Sequence, residues 1–325
     1  MDGGVTMTKY SILIPVYNGA KYIEKCLDSV LDQSYEDYEV IIVNDGSTDN
    51  TEEIIKRYQS KRLRYYKKKN GGVSDARNYC ISKVKSDYFT FVDSDDYISR
   101  DMLKVVDKEI DDETEILSFN ISVVSKCNDP IYMIRKPVFK ELSGEKAIVK
   151  FIEEAELFDT PVSYIYKTSY FVENNFKYAV DRVHEDFGLT PVVIIKAKNV
   201  SSIGFNLYYY VLTDRSITRD ISAENNARKA LDMLYHFDYL YLTVNSDFGI
   251  SNNTKIIFNS YIANAIISKI KTLSGKNLRD YLSEIKSRKV YDLLLCDTFS
   301  RRVKKQVIKI IPRLYLNLLS KRGNR

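Results

Sequence analysis

At 325 residues, 44% hydrophobic and 29% charged, the chain has globular composition and room for one large domain, or one of ordinary size plus a helical appendage, which excludes a disordered or fibrous protein. Its net charge of +5 belongs to one end: Arg301 to Arg325 holds nine Lys and Arg and no Asp or Glu, the remainder carries 40 basic against 44 acidic residues, and a nucleic-acid groove spread over the main fold is therefore excluded. No run approaches the roughly 18 apolar residues of a membrane-spanning helix, and Met1 to Tyr10 lacks a basic segment followed by an apolar run, so neither a span nor a secretory leader is expected.

Tyr10 to Val16, Y-S-I-L-I-P-V, is a short apolar run closed by a proline, which predicts a buried strand ending in a loop. Tyr22, Cys26, Leu27, Val30 and Leu31 then recur at helical spacing. Tyr38 to Val43 predicts a second buried strand running into the turn-rich cluster Asn44 to Asp49, where Ser47 or Asp49 is placed to cap a helix through Ile54, Ile55 and Tyr58. Leu63 to Tyr66 reads as a third strand, Val73 to Val84 as a helix, and Tyr88 to Val92 as a fourth strand ending at Asp93. Alternating strands and helices predict an α/β fold with a largely parallel, doubly wound sheet, whose ligands sit beyond the carboxyl ends of the strands. From Asp101 to Ser202 the pattern loosens into mixed elements, with a helix near Gly144 to Glu156 and apolar runs at Pro191 to Ile195 and Leu207 to Leu212. Beyond Ser222 helical periodicity dominates. The expected organisation is a domain over residues 1–220 followed by a C-terminal helical region over 221–325.

Asp93-Ser94-Asp95-Asp96 places three carboxylates in four positions at a strand end. Two unit charges about 4 Å apart cost on the order of 4 kcal/mol at an effective dielectric of 20, so something positive is expected there. An all-oxygen ligand set suits Mg²⁺ or Mn²⁺ better than zinc, and Mg²⁺ combines one or two carboxylates with substrate phosphates. The alternative is an acidic, solvated loop capping the next helix. Three further clusters fall at matching positions. Ile14-Pro15-Val16-Tyr17-Asn18 leaves β-structure in a rigid turn, Asp45-Gly46-Ser47 puts a carboxylate after the second strand, and Asn70-Gly71-Gly72 opens a helix carrying Arg77. Distant in sequence, these clusters are expected to converge at one rim of the sheet.

Taken in order, I-P-V-Y-N, C-L-D-S-V-L-D-Q-S, V-N-D-G-S-T-D, N-G-G-V-S-D-A-R-N, F-V-D-S-D-D and H-E-D-F make the stretch from Tyr10 to Thr218 resemble the inverting family 2 glycosyltransferases with the GT-A fold, enzymes of bacterial capsule, teichoic-acid and exopolysaccharide synthesis. The resemblance implies a mixed doubly wound sheet with a nucleotide-binding half and an acceptor half, a UDP-sugar donor, and a divalent cation. It implies that Asp45 hydrogen-bonds uracil in a pocket shaped by Pro15, Val16, Tyr17 and Asn18, with Gly71 and Ser94 beside the donor. Asp93 would hold ribose or a metal-bound water and Asp95 the cation, with Arg77 against donor phosphate or sugar. Asp186 would be the general base that takes the proton of the incoming hydroxyl, with Glu185 as its neighbour on acceptor or sugar. Two assignments stay open: Asp96 as ligand or as cap of a helix near Asp101, and His184 as a third metal ligand or not. His236 reads as structural. The basic residues expected after an aromatic cluster are reduced to Arg215, out of register, although Ser216-Ile217-Thr218 fits.

Val303, Val307, Ile311, Leu314 and Leu318 recur at helical spacing among Lys304, Lys305, Lys309 and Arg313, interrupted by Pro312. A basic amphipathic segment without a span suggests attachment to an anionic membrane surface from the cytoplasmic side, near a glycan or lipid-linked acceptor; the alternative is a helix packed on the protein with a solvated basic face. Cys26, Cys80, Cys127 and Cys296 form no metal or redox spacing and are expected to be reduced thiols. A sugar-nucleotide nucleotidyltransferase would want a Gly-rich basic loop after the first strand, where Pro15 to Ala20 stands. A non-catalytic nucleotide-sugar or glycan-binding module predicts degenerate carboxylates, whereas Asp45, Asp93, Asp95 and Asp186 are all present. Neither G-x-G-x-x-G nor a phosphate loop ending in Gly-Lys-Ser/Thr occurs.

Overall fold

A computed structural model describes residues 8–213, 222–295, 305–307 and 310. Its contacts divide the chain into two compact units, 1–214 and 215–325.

In the first unit β1 (Tyr10–Val16) is buried along its whole length, as its apolar run dictates. It leads into α1 (Ile23–Leu31), which turns Ile23, Cys26, Leu27 and Val30 inward. Next come β2 (Tyr38–Asn44), α2 (Thr51–Lys56), β3 (Leu63–Lys67), α3 (Gly72–Ile81) and β4 (Tyr88–Phe91). β1 lies between β2 and β4, and β2 between β1 and β3, all parallel. The loops that follow β1, β2, β3 and β4 therefore emerge on one rim. Asp49 does serve the start of α2, accepting from the Thr51 N–H at 3.1 Å. Ser47 does not: its hydroxyl accepts from the Asn18 N–H at 2.9 Å and so joins the first loop to the second.

The rest of the unit contains β5 (Tyr97–Ile98), α4 (Met102–Glu109), β6 (Ile116–Val124), β7 (Pro130–Ile134), β8 (Phe139–Leu142), α5 (Gly144–Glu154), β9 (Tyr164–Lys167), α6 (Thr168–Glu173), α7 (Glu185–Ile195) and β10 (Val200–Val211). β9 runs antiparallel to both β4 and β6 and welds the two halves into one ten-stranded mixed sheet of order β3-β2-β1-β4-β9-β6-β10-β5, with β7 on β6 and β8 on β10. At that seam Phe89 stacks on Tyr166 with centroids 5.3 Å apart and meets Phe171 edge-on at 5.2 Å. The apolar run Pro191 to Ile195 is the inner half of α7, which is buried on every side from Phe187 onward.

Tyrosine, present 26 times in a chain without Trp, is used here as a core residue with a polar end. Tyr10, Tyr38, Tyr164, Tyr166 and Tyr208 are all nearly inaccessible. Their hydroxyls donate to Asp107, Leu31 O, Phe158 O, Pro161 O and Asp96 respectively, which satisfies each phenol.

The described residues of the second unit contain no strand and are built on α8 (Ala223–Ser246), α9 (Asn252–Ser268) and α10 (Gly275–Ser287), joined by short turns. Ser222 and Ser251 cap the first two, each accepting a backbone N–H at 3.3 Å. Arg215 and Ser216-Ile217-Thr218, and nearly all of the basic tail 301–325, lie outside the described residues.

Candidate active site

Asn18 stitches the rim together. Held at φ 50°, it accepts the Thr48 N–H on its side-chain oxygen at 2.8 Å, while Tyr17 beside it stays 51% exposed. Pro15 and Val16 close β1 beneath it. Asp45 joins the second loop to the third: its buried carboxylate accepts from Lys68 Nζ at 2.5 Å and from the N–H groups of Gly71 and Gly72 at 3.0 and 2.8 Å. Gly72 sits at φ +84°, a conformation open to glycine, and this turn is what aims the two N–H groups at Asp45. The carboxylate expected to read uracil thus first orders the loop that carries Gly71.

Arg77 is engaged by two carboxylates of the protein itself. Its guanidinium is 5% exposed, donates to Glu185 Oε1 at 2.6 Å and to Asp93 Oδ1 at 3.0 Å, and lies between the Phe91 and Tyr178 rings at 5.7 and 5.6 Å. Its Nε has no partner. Burial works against the charge, but Asp93 and Glu185 outweigh it and hold the group protonated. Arg77 thus ties the Asp-Ser-Asp loop after β4 to the start of α7.

Asp93 is about one-third exposed. Asp95 is held up to about 6, by burial first and then by the Asp93 charge. Ser94 lies between them, close enough to Gly19 that a Cβ there would stand 3.3 Å from its hydroxyl. Asp96 is not the cap: 1% exposed, it accepts from the Tyr208 hydroxyl at 2.6 Å and from the Val211 N–H at 2.8 Å. The helix near Asp101 starts without a side-chain cap. Tyr208 also accepts from the Asp93 N–H at 3.1 Å, so β10 braces the acidic loop from behind.

α7 begins at Glu185 after His184, which adopts a left-handed φ of 60°. That kink sets Glu185 and Asp186 in the first turn, where the helix dipole favours negative charge. The Asp186 carboxylate accepts the Phe187 N–H at 2.8 Å and is pushed up to about 8, by burial first, then by Glu185 and Asp159; Arg77 and that N–H pull the other way. A carboxyl titrating near neutrality is suited to take a proton.

Among the described residues no three His, Cys, Asp or Glu side chains form a ready-made metal cluster. The pair Asp93 and Asp95 does fit a hard cation completed by ligand phosphates: both donors are oxygen, and Asp95 is raised by its neighbour's charge, a repulsion that a cation relieves. The sequence did not reveal Lys68, Tyr178 or Tyr208 as parts of the site. Tyr208 stood in a visible aromatic cluster and Lys68 in a Lys run before the glycines, but nothing local distinguishes Tyr178, whose backbone exchanges two hydrogen bonds with the Asn78 side chain at 2.8 and 2.9 Å.

These features coincide with what comparison shows. The sequence profile described as Glycosyl transferase family 2 matches residues 11–173, half of the chain. Glycosyltransferase GlyA of Streptococcus pneumoniae is 28% identical over 221 residues, 65% of this chain and 32% of its own length. The poly(ribitol-phosphate) beta-N-acetylglucosaminyltransferase TarS of Staphylococcus aureus is 28% identical over 211 residues, 63% of this chain and 35% of its own. The chain spans about a third of the length of these curated relatives. The structure of S. aureus TarS 1–349 in complex with UDP-GlcNAc superposes with a TM-score of 0.69 at 20% identity, covering 97% of this chain and 92% of that one, and shares its GT-A fold. With the motif order, the mixed sheet and the carboxylate rim in agreement, the chain belongs to glycosyl transferase family 2.

Proposed function

We propose that this protein moves a hexosyl or N-acetylhexosaminyl group from a UDP-sugar to an acceptor hydroxyl with inversion, in the assembly of a capsule, teichoic-acid or exopolysaccharide glycan. The observation that carries the reading is the Asp93–Arg77–Glu185 bridge, which sets the Asp-Ser-Asp loop of the nucleotide half beside the Asp186 helix start of the acceptor half. The solved TarS complexes with UDP-GlcNAc and with UDP support a UDP-sugar, and a mannosyltransferase of the same fold, from Pyrobaculum calidifontis, was solved with GDP-Man and Mn²⁺.

In this reading Pro15, Val16, Tyr17 and Asn18 border the base, and Asp45 reads its edge while holding Gly71 and Gly72 in place. Asp93 and Asp95 would hold Mn²⁺ or Mg²⁺, which when bound supplies positive charge for the departing diphosphate. Ser94 and Gly71 lie along the donor. Arg77 fixes Asp93 and Glu185, and Glu185 lines the reaction face. Asp186 accepts the proton of the acceptor hydroxyl as its oxygen bonds to the sugar carbon and UDP leaves with the electrons of the old bond. Asp186→Asn should abolish transfer and leave donor affinity nearly intact; loss of donor affinity instead would show that the base is misassigned.

No helix among the described residues is long and apolar enough to cross a membrane. We assign the nine basic residues of 301–325 to contact with the anionic inner face of the plasma membrane, where a lipid-linked acceptor would be presented. Deleting 301–325 should remove co-sedimentation with anionic vesicles; undiminished binding would refute that role.

A further inference from the structure

Within the helical unit, α8 turns an apolar stripe to solvent. Leu231, Tyr235, Tyr239 and Leu242 are 57, 47, 43 and 66% exposed, although the opposite side of the same helix is already filled by Met233, Leu234, Phe237, Leu240 and Val244. Steps of four, four and three residues keep the exposed set on one face. That face is where a surface helix carries charge. Here the only charge within the stripe is Asp238, ion-paired to Arg288, while Arg228, 62% exposed and 4.0 Å from Asp232, stands at one end and Asp247 closes the helix at the other. Exposed apolar side chains gathered on one face of a helix mark a contact site.

The stripe reads Leu-Tyr-Tyr-Leu from either end. We infer that a second copy of this chain docks on it, α8 against α8, antiparallel about a two-fold axis between Tyr235 and Tyr239. A two-fold contact requires a self-complementary surface in which each residue pair occurs twice. The antiparallel arrangement meets that requirement: Leu231 falls against Leu242 of the second copy and Tyr235 against its Tyr239. Arg228 then reaches Ser246 and Asp247 at the second copy's helix end, where a carboxylate and the negative end of the dipole sit. The four apolar side chains expose roughly 400 Å² per copy, and with flanking polar residues the contact totals about 1,000–1,200 Å², the size of a reversible dimer. Charge favours this occupant over lipid: among the described residues α8 offers Glu224 and Asp238 as well as Arg228 around the stripe, and Asp238 is taken up by Arg288 at 2.8 and 2.9 Å, a mixed rim rather than the basic one that an anionic bilayer selects.

Sedimentation equilibrium of the full chain at micromolar concentrations tests the inference. The mass should rise with concentration from 37.7 kDa toward twice that value. Leu231→Glu/Leu242→Glu, at exposed positions that leave the fold and the circular dichroism intact, should weaken the dimer by about tenfold or more. Leu231→Glu/Leu242→Lys should regain it, because each Glu then meets a Lys only when the helices run antiparallel. A chain monomeric at every concentration would overturn the proposal, and so would a dimer indifferent to the double Glu variant or a failure of the Glu/Lys pair to rescue. Binding of the monomer to phosphatidylglycerol vesicles that is lost in the double Glu variant would also overturn it, assigning the stripe to lipid.

Discussion

Arg77 shows how a residue visible in a motif takes its meaning from the fold. In sequence it is a cation near two glycines, which suggests phosphate; in the structure it is 5% exposed and engaged by carboxylates 16 positions ahead and 108 positions ahead. Removing one partner of such a buried arrangement strands the others, at a cost of about 3 kcal/mol. Arg77→Ala should lower unfolding stability by about that amount in a denaturant titration, and Arg77→Lys, which keeps the charge but loses the fork, should recover only part of it. Asp186 makes a second prediction. Its carboxyl titrates near about 8, against about 4 when unfolded, so the native state binds that proton more tightly. The associated stability is fully present below about pH 4 and is lost as pH rises through about 8. Asp186→Asn, which removes the titration, should therefore gain in melting temperature relative to the parent above about pH 8 and gain little near pH 4. Wild-type transfer should rise from neutral pH through about 8 as the base form accumulates, and a flat profile would argue against Asp186. Asp93 and Asp95 stood out as clustered carboxylates at a predicted strand end, whereas Asp186 beside Glu185 was picked out only by the resemblance in motif order. Lys68 and Tyr178 were not legible, because their roles arise from contacts across the rim.

Among elements, the parallel half was readable since each strand is a short apolar run followed by turn residues. The second half was not, because β9 contributes four residues running against its neighbours and α7 is as apolar as a buried strand. The same half depends on close packing that only the coordinates reveal. A Cβ on Gly144, the first residue of α5, would stand 2.2 Å from the Ile194 carbonyl oxygen and 2.6 Å from that of Ile195 at the end of α7. Gly144→Ala should cost about 1–3 kcal/mol of stability and disturb the helix that carries Asp186, lowering transfer more than donor binding. Asp96 works between elements too, fastening the acidic loop to β10. Asp96→Ala leaves the Tyr208 hydroxyl and the Val211 N–H buried without their acceptor, about 1–3 kcal/mol each, and calorimetric melting should show the loss.

At the scale of the whole molecule, family membership follows from the first unit, while the proposed self-association belongs to the second unit and the proposed membrane contact to the basic tail. The chain spans about a third of the length of these curated relatives. The central claim is that loops far apart in sequence form one site for a nucleotide-sugar and a cation on the rim of the sheet. Calorimetric titration of UDP-GlcNAc into the wild-type chain, Asp95→Ala and Asp186→Asn, each with and without Mn²⁺, tests it most directly. The account predicts Mn²⁺-dependent binding to wild type and Asp186→Asn and its loss in Asp95→Ala. Binding indifferent to both Mn²⁺ and Asp95 would contradict it, as would a panel of UDP-sugars none of which binds.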